Sequence, residues 1–151
     1  MTTRDRIRQI LLQPSASYSL SEATQLLEYS DGEMLKSIQD GDIAVDRQQD
    51  IPRLPWEEVA LAATERWSQT FIEAALGSDL ETVMPDLVRL TDLHVRVPRF
   101  GVLALDHIAE RERTTIEAII GRQVLDIAVS ESESLERSVS GFTAALRWPI
   151  S

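Results

Sequence analysis

Two helical patterns separated by a single residue pair set the tightest limit on what this chain can fold into. Between Tyr18 and Trp56, the residues Ala23, Leu26 and Leu27 form one apolar face at helical spacing, with Ser21 as a natural N-cap. Asp31 can cap a second helix whose Met34, Leu35 and Ile38 point inward, and Gly41 stops it. Only Tyr29 and Ser30 lie between them, so the helices turn sharply against each other. That is the pattern of a helix-turn-helix.

The run Tyr18-Ser19-Leu20-Ser21-Glu22-Ala23, the paired leucines, Ser30, the short helix and Gly41-Asp42-Ile43 together resemble the winged helix-turn-helix of the MerR and excisionase families. The resemblance implies a two-stranded wing opened by Gly41. Its strands would be Ile43-Ala44-Val45 and Gln49-Asp50-Ile51, with Asp46-Arg47-Gln48 at the tip. It also implies that the second helix meets base edges in the major groove with its first residues, here Asp31, Gly32, Glu33, Lys36 and Ser37. MerR-like helices place Arg, Ser and Thr there, so Asp31 and Glu33 depart from the family pattern and would press carboxylates against phosphate. Lys36, Arg47 and Arg53 are the basic residues of the segment, and with Ser37 they are its DNA-contact candidates.

Charge sharpens that tension. The chain has a formal charge of −10, whereas phosphate neutralisation by Lys and Arg supplies most non-specific DNA affinity. The acid is uneven: residues 18–56 carry −5 and residues 57–93 carry −6, while residues 1–17 carry +2 and residues 94–129 are neutral. A basic DNA-contact surface is therefore expected outside the acidic middle. With 43% apolar but only 5% aromatic residues, the core is expected to be aliphatic. The absence of cysteine removes disulfides and thiolate chemistry. No signal peptide pattern and no apolar run of about 20 residues occurs, so a soluble, cytoplasmic protein without membrane association is expected.

Residues 1–17 read as an N-terminal helix or arm. Arg4, Arg6 and Arg8 precede Ile7, Ile10, Leu11 and Leu12, and Pro14 to Ser17 read as a linker. The arginines either touch a phosphate backbone or end a solvated helix. Residues 57–92 read as central helices. Pro55 and the acids Glu57 and Glu58 start one long helix of roughly five turns through Trp67 to Gly77, and Asp79 opens a shorter one before Pro85. Their wide apolar face packs either on the winged domain or across a subunit interface.

From Leu93 to Arg99 the chain alternates apolar and polar residues, the period of a short strand with one buried face. Val95 and Val97 point one way, His94 and Arg96 the other. A helix over Phe100–Glu112 follows, then a turn at Arg113-Thr114-Thr115, then a helix marked by Ile116, Ile119, Ile120, Val124, Ile127 and Ala128. Val95, Val97-Pro98, Leu105, Ala109, Thr115 and Ile119-Ile120 make this stretch similar to the ribbon-helix-helix fold of bacterial repressors and antitoxins. The resemblance implies an obligate homodimer in which two chains pair their strands into an antiparallel ribbon and share one core. It implies groove contacts by the outward strand residues His94 and Arg96, with Arg99 beside them. It further implies a phosphate held at Thr114 and Thr115, at the start of the second helix. The polar run Ser130–Ser134 reads as a break or a solvated helix start. Beyond it, Leu135, Val139, Phe142, Ala145, Leu146 and Trp148 have helical spacing and need a cover, from the same chain or a partner.

His94 and His107 are the two histidines, and neither stands in a metal-binding spacing; phosphate-binding glycine loops and nucleophile elbows are absent. No metal, cofactor or enzymatic activity is expected. The whole reads as a mainly α protein: a winged helix-turn-helix (18–56), central helices (57–92), and a ribbon-helix-helix-like dimerisation domain with a C-terminal helix (93–151). The function expected is a DNA-binding transcriptional regulator, an antitoxin or autorepressor that binds double-stranded DNA as a dimer, with a basic toxin as a further partner. The alternative is a protein-interaction module that keeps these folds without binding DNA.

Overall fold

The computed structural model describes residues 1–48 and 50–150. The protein is mainly helical with one small antiparallel sheet. It divides into two compact units, Met1–Leu90 with Trp148–Ser151, and Thr91–Arg147.

The first unit begins with α1 (Thr3–Leu12), β1 (Ser17–Ser19), α2 (Leu20–Leu26) and α3 (Asp31–Gln39). Each of these helices starts with a reciprocal capping box. Thr2 with Asp5, Ser19 with Glu22, and Ser30 with Glu33 exchange side-chain and backbone bonds, so two orphan N–H groups are satisfied at every start. The caps therefore lie at Ser19 and Ser30, not at Ser21 and Asp31. A serine followed three residues later by glutamate satisfies two donors, where a lone cap satisfies one. Gly41, at φ 79°, ends α3 as expected.

After α3 the chain departs from the expected wing. Residues 43–45 are not a strand, because Ile43 is drawn into the core at 3% exposure and the Ala44 N–H donates to the Glu58 carboxylate at 2.9 Å. Gln49, one end of the second expected wing strand, lies outside the described residues. Pairing begins at an isolated bridge between Asp46 and Arg53, which closes the intervening loop. β2 (Arg53–Pro55) then pairs antiparallel with β1, Tyr18 opposite Leu54. Both are buried, and the sheet ties the stretch before α2 to the stretch before α4.

α4 (Trp56–Arg66) and α5 (Gln69–Leu76) replace the single long helix expected from Pro55 to Gly77. Trp67 takes an extended conformation (φ −117°, ψ 141°), and Ser68 caps a new helix by accepting from the Phe71 N–H at 3.3 Å. The break re-aims the apolar face: α4 buries Val59, Ala60, Ala62 and Ala63, and α5 buries Ile72, Ala75 and Leu76. A short α6 (Leu80–Val83) follows, and Met84 closes the core behind it.

At the centre of this core stand Ile7, Ile10, Leu27, Leu54, Ile72 and Leu76, all fully or nearly fully buried. α1 is thus part of the core and not an arm. Its arginines finish α5: Arg8 donates to the Ala75 and Leu76 carbonyls at 3.2 and 2.8 Å, and Arg4 to Ala75 at 3.3 Å. Those carbonyls have no partner inside the helix, and cations are favoured at its negative end. Arg8 also pairs with Asp79, and Arg6 with Glu28.

In the second unit, residues 91–98 belong to no helix, strand or turn. Among the described residues the strand expected at 93–97 has no partner, and nothing hydrogen-bonds its backbone. α7 (Arg99–Glu112) follows Pro98, and Arg113 turns the chain in a left-handed conformation at φ 54°. α8 (Ile116–Ser130) starts at Thr115, whose hydroxyl accepts from the Ala118 N–H at 3.2 Å. α9 (Ser132–Ser138) and α10 (Phe142–Ala145) complete the unit. The single last helix implied by the spacing is interrupted at Gly141, φ 83°, where the Glu136 carboxylate accepts from the Gly141 and Thr143 N–H groups.

Candidate nucleic-acid interface

The nine residues singled out as DNA contacts fall into two groups, one on each unit. In the first unit Lys36 is exposed on α3, and Ser37 is half-buried beside it. The Ser37 carbonyl accepts from the Asp42 and Ile43 N–H groups at 2.9 and 3.2 Å, so its backbone is committed to closing α3. Arg47 is exposed in the loop closed by the Asp46–Arg53 bridge.

Arg53 is engaged within the fold. Its guanidinium donates to the Ser17 hydroxyl at 2.7 Å and the Ser17 carbonyl at 3.0 Å, and it lies 4.0 Å from the Glu22 carboxylate. It braces the two-stranded sheet across its end. Glu33 is engaged as well: it closes the capping box of α3 and lies 3.5 Å from Arg66. The bonds from Ser30, with Arg66 adding attraction, hold its carboxyl below the usual glutamate range. The acid that troubled a DNA-reading role at Glu33 is thus a structural device, while Asp31 is an exposed carboxylate at the start of the same helix.

In the second unit His94 and Arg96 are exposed in the segment before α7, and Arg99 is the first residue of that helix. Neither Arg96 nor Arg99 forms an ion pair among the described residues, where eight carboxylate–arginine pairs occur elsewhere. Residues 93–99 contain two arginines, a histidine and no acid. Thr114 and Thr115 are exposed at the turn before α8, with the Thr115 hydroxyl used as the helix cap. No hydrogen bond or ion pair joins the 94–99 segment to this turn among the described residues.

The second unit also exposes apolar surface to a degree the first does not. Ala109 and Ile119 are its buried apolar residues, whereas Ile120, Val124 and Ile127 are 44%, 55% and 63% exposed along one stripe of α8. Val95 and Val97, the inward residues of the expected strand, are 66% and 51% exposed. Sequence periodicity located both faces. It could not show that the chain leaves them uncovered.

No helix among the described residues is long and apolar enough to cross a membrane. Scans against family models, curated proteins and solved structures each find no match to this chain.

Proposed function

We propose that this protein is a homodimeric DNA-binding regulator, acting as an antitoxin or autorepressor, whose second unit supplies both the dimer interface and the groove contacts. The observation that carries the reading is the state of residues 91–130. An unpaired segment with alternating valines precedes two helices, and their shared apolar surface stays largely open. Strand-helix-helix units of this size bury a core when two copies combine, because one copy has too little interior. Pairing two 93–97 segments would give their backbone groups partners and cover Val95 and Val97. It would leave His94 and Arg96 on the opposite face of the ribbon, doubled by symmetry, beside Arg99.

The first unit then serves as a flanking domain. Arg53 belongs to its fold, leaving Lys36 and Arg47 as the exposed basic candidates there. Residues 1–90 hold sixteen acidic and eight basic side chains and residues 91–147 nine and seven, so attraction to phosphate rests on the local cluster of His94, Arg96 and Arg99 and not on the net charge of either unit.

The test is fluorescence anisotropy with a duplex of the region just upstream of the protein's own coding sequence, titrated over a salt series. A regulator of this kind binds it with affinity falling steeply as salt rises, and Arg96→Ala removes binding while the dimer persists. Absence of binding to that duplex and to bulk genomic DNA at low salt sinks the DNA-binding reading. It would leave a protein-interaction module built on the same folds.

A further inference from the structure

A pocket of about 250 Å³ lies within the first unit. Arg6 and Gln9 line it from α1, Glu22 and Gln25 from α2, and Ser15 and Tyr18 from the segment between. Met1 and Leu26 are its apolar lining. The polar groups keep bonding capacity that the fold leaves unused. Tyr18 is 4% exposed, and its hydroxyl accepts from the Ser15 N–H at 3.0 Å, yet among the described residues no acceptor takes its hydrogen. Arg6 pairs with Glu28 through Nη1, which fixes the guanidinium and leaves Nε and Nη2 without a partner among the described residues. One Glu22 oxygen accepts from the Ser19 N–H at 2.7 Å and lies 4.0 Å from Arg53, while the other has no partner among the described residues. The bonds to Ser19 hold this carboxyl below the ordinary glutamate value, so it is ionised at neutral pH. The side chains of Gln9 and Gln25 make no hydrogen bond among the described residues. Arg6 and Glu22 do not pair with each other. The pocket therefore presents one cation and one anion, apart, together with two unused carboxamides.

We propose that this pocket binds a free α-amino acid with a short polar side chain, its carboxylate held by Arg6 and the Tyr18 O–H, its ammonium by Glu22, and its side chain by Gln9 and Gln25. Charge selects the class. A simple anion would meet the Glu22 carboxylate and a simple cation the Arg6 guanidinium, whereas a zwitterion satisfies both. An apolar molecule would cover the two charges without pairing either. A buried donor is costly to leave without an acceptor, so Tyr18 favours a ligand that brings one. Each carboxamide offers donors and an acceptor, which suits a hydroxyl or amide side chain. The volume lies below the roughly 300–1,000 Å³ of pockets that take drug-sized ligands, in keeping with a ligand as small as an amino acid. The proposal goes beyond the DNA-binding reading and does not depend on it.

The probes are L-serine, L-asparagine and L-glutamine, titrated into the full chain by isothermal calorimetry. The carboxyl-amide and N-acetyl derivatives of the tightest binder, each lacking one charge, should bind at least tenfold more weakly. Glu22→Gln is the decisive variant. A capping box accepts Gln at this position as well as Glu, so α2 keeps its start while the charge is lost, and binding should weaken at least tenfold. Gln25→Ala replaces an exposed side chain and repeats the test if the first variant misfolds, with a several-fold loss expected. Amide shift changes on ligand addition should centre on residues 6–9 and 22–25. Failure of all three amino acids to bind at about 10 mM, beyond the millimolar end of ordinary affinities, overturns the proposal. So does equal binding of either blocked derivative, undiminished binding by Glu22→Gln, or a shift pattern centred elsewhere.

Discussion

The indole N–H of Trp148 donates to the carbonyl of Val83 at 3.2 Å, fastening the end of the chain to the unit built from its first ninety residues. Trp148 packs against the buried core and shares the lining of a surface pocket with Leu11, Leu12, Pro14 and Trp56. Trp148 is half-buried, so truncation removes both a hydrogen bond and part of a large apolar contact. Trp148→Ala should lower the unfolding free energy of the first unit by about 2 kcal/mol, read as a shifted urea midpoint. An unchanged midpoint would mean that the contact is dispensable.

Arg53 and Arg47 separate structural from contact roles for the basic residues of the first unit. Arg53 makes two charge-assisted bonds to Ser17, and Arg53→Ala should destabilise by about 1–2 kcal/mol. Arg47 is exposed, with no ion pair among the described residues, and Arg47→Ala should leave the melting temperature unchanged within error. Equal effects of the two substitutions would show that the brace across the sheet is weak.

Acid should loosen the first unit in a defined window. Glu28 accepts from the Thr3 hydroxyl at 2.6 Å and pairs with Arg6, which hold its carboxyl below the ordinary glutamate value of 4.5. Glu22 and Glu33, held by the N–H groups of Ser19 and Ser30, shift the same way. Because the folded values lie below the unfolded ones, this stability is fully present above the ordinary glutamate range. It is lost as pH falls through the lowered values. Urea midpoints should therefore be flat from neutral pH to about pH 5 and drop below it. In Glu28→Gln the drop should be shallower; a steeper one would assign the wrong sign to this carboxylate.

How much of this was legible beforehand varies by element. The turns of α2, α3, α7 and α8 followed from apolar spacing, and Gly41 stopped α3 where expected. The caps were displaced by one or two residues because a single favourable residue was weighed without its partner; Ser19-Leu20-Ser21-Glu22 and Ser30-Asp31-Gly32-Glu33 carry the full signature. The break at Trp67-Ser68 was missed because the apolar pattern runs across it, and only the Ser68 cap marks a new start. The wing was misplaced for a tertiary reason: Ile43 serves the core, and β2 pairs with β1 rather than folding back on 43–45. The role of Arg53 could not be read, since its partner Ser17 lies 36 residues away. The roles of Arg4 and Arg8 depend on where α5 ends, which spacing within α1 does not encode.

The last prediction concerns the open surface of the second unit. Ile120, Val124 and Ile127 recur at i, i+4 and i+7, one face of α8, and all three are largely exposed in the single chain. A second copy that covers this stripe would give a species of twice the 17.0 kDa chain mass, measurable by sedimentation equilibrium. Ile127→Asp places a carboxylate in the centre of such an interface, where burying it unpaired costs several kcal/mol, and should return the protein to the single-chain mass. The same substitution is mild for the single chain, because the side chain there already meets solvent, so the helical circular dichroism of the protein should persist. Arg96→Ala should keep the dimer mass and lose DNA, which separates assembly from contact. A wild-type protein that sediments as a single chain at tens of micromolar, or an Ile127→Asp variant that still doubles, would remove the homodimer and with it the ribbon on which the groove contacts depend.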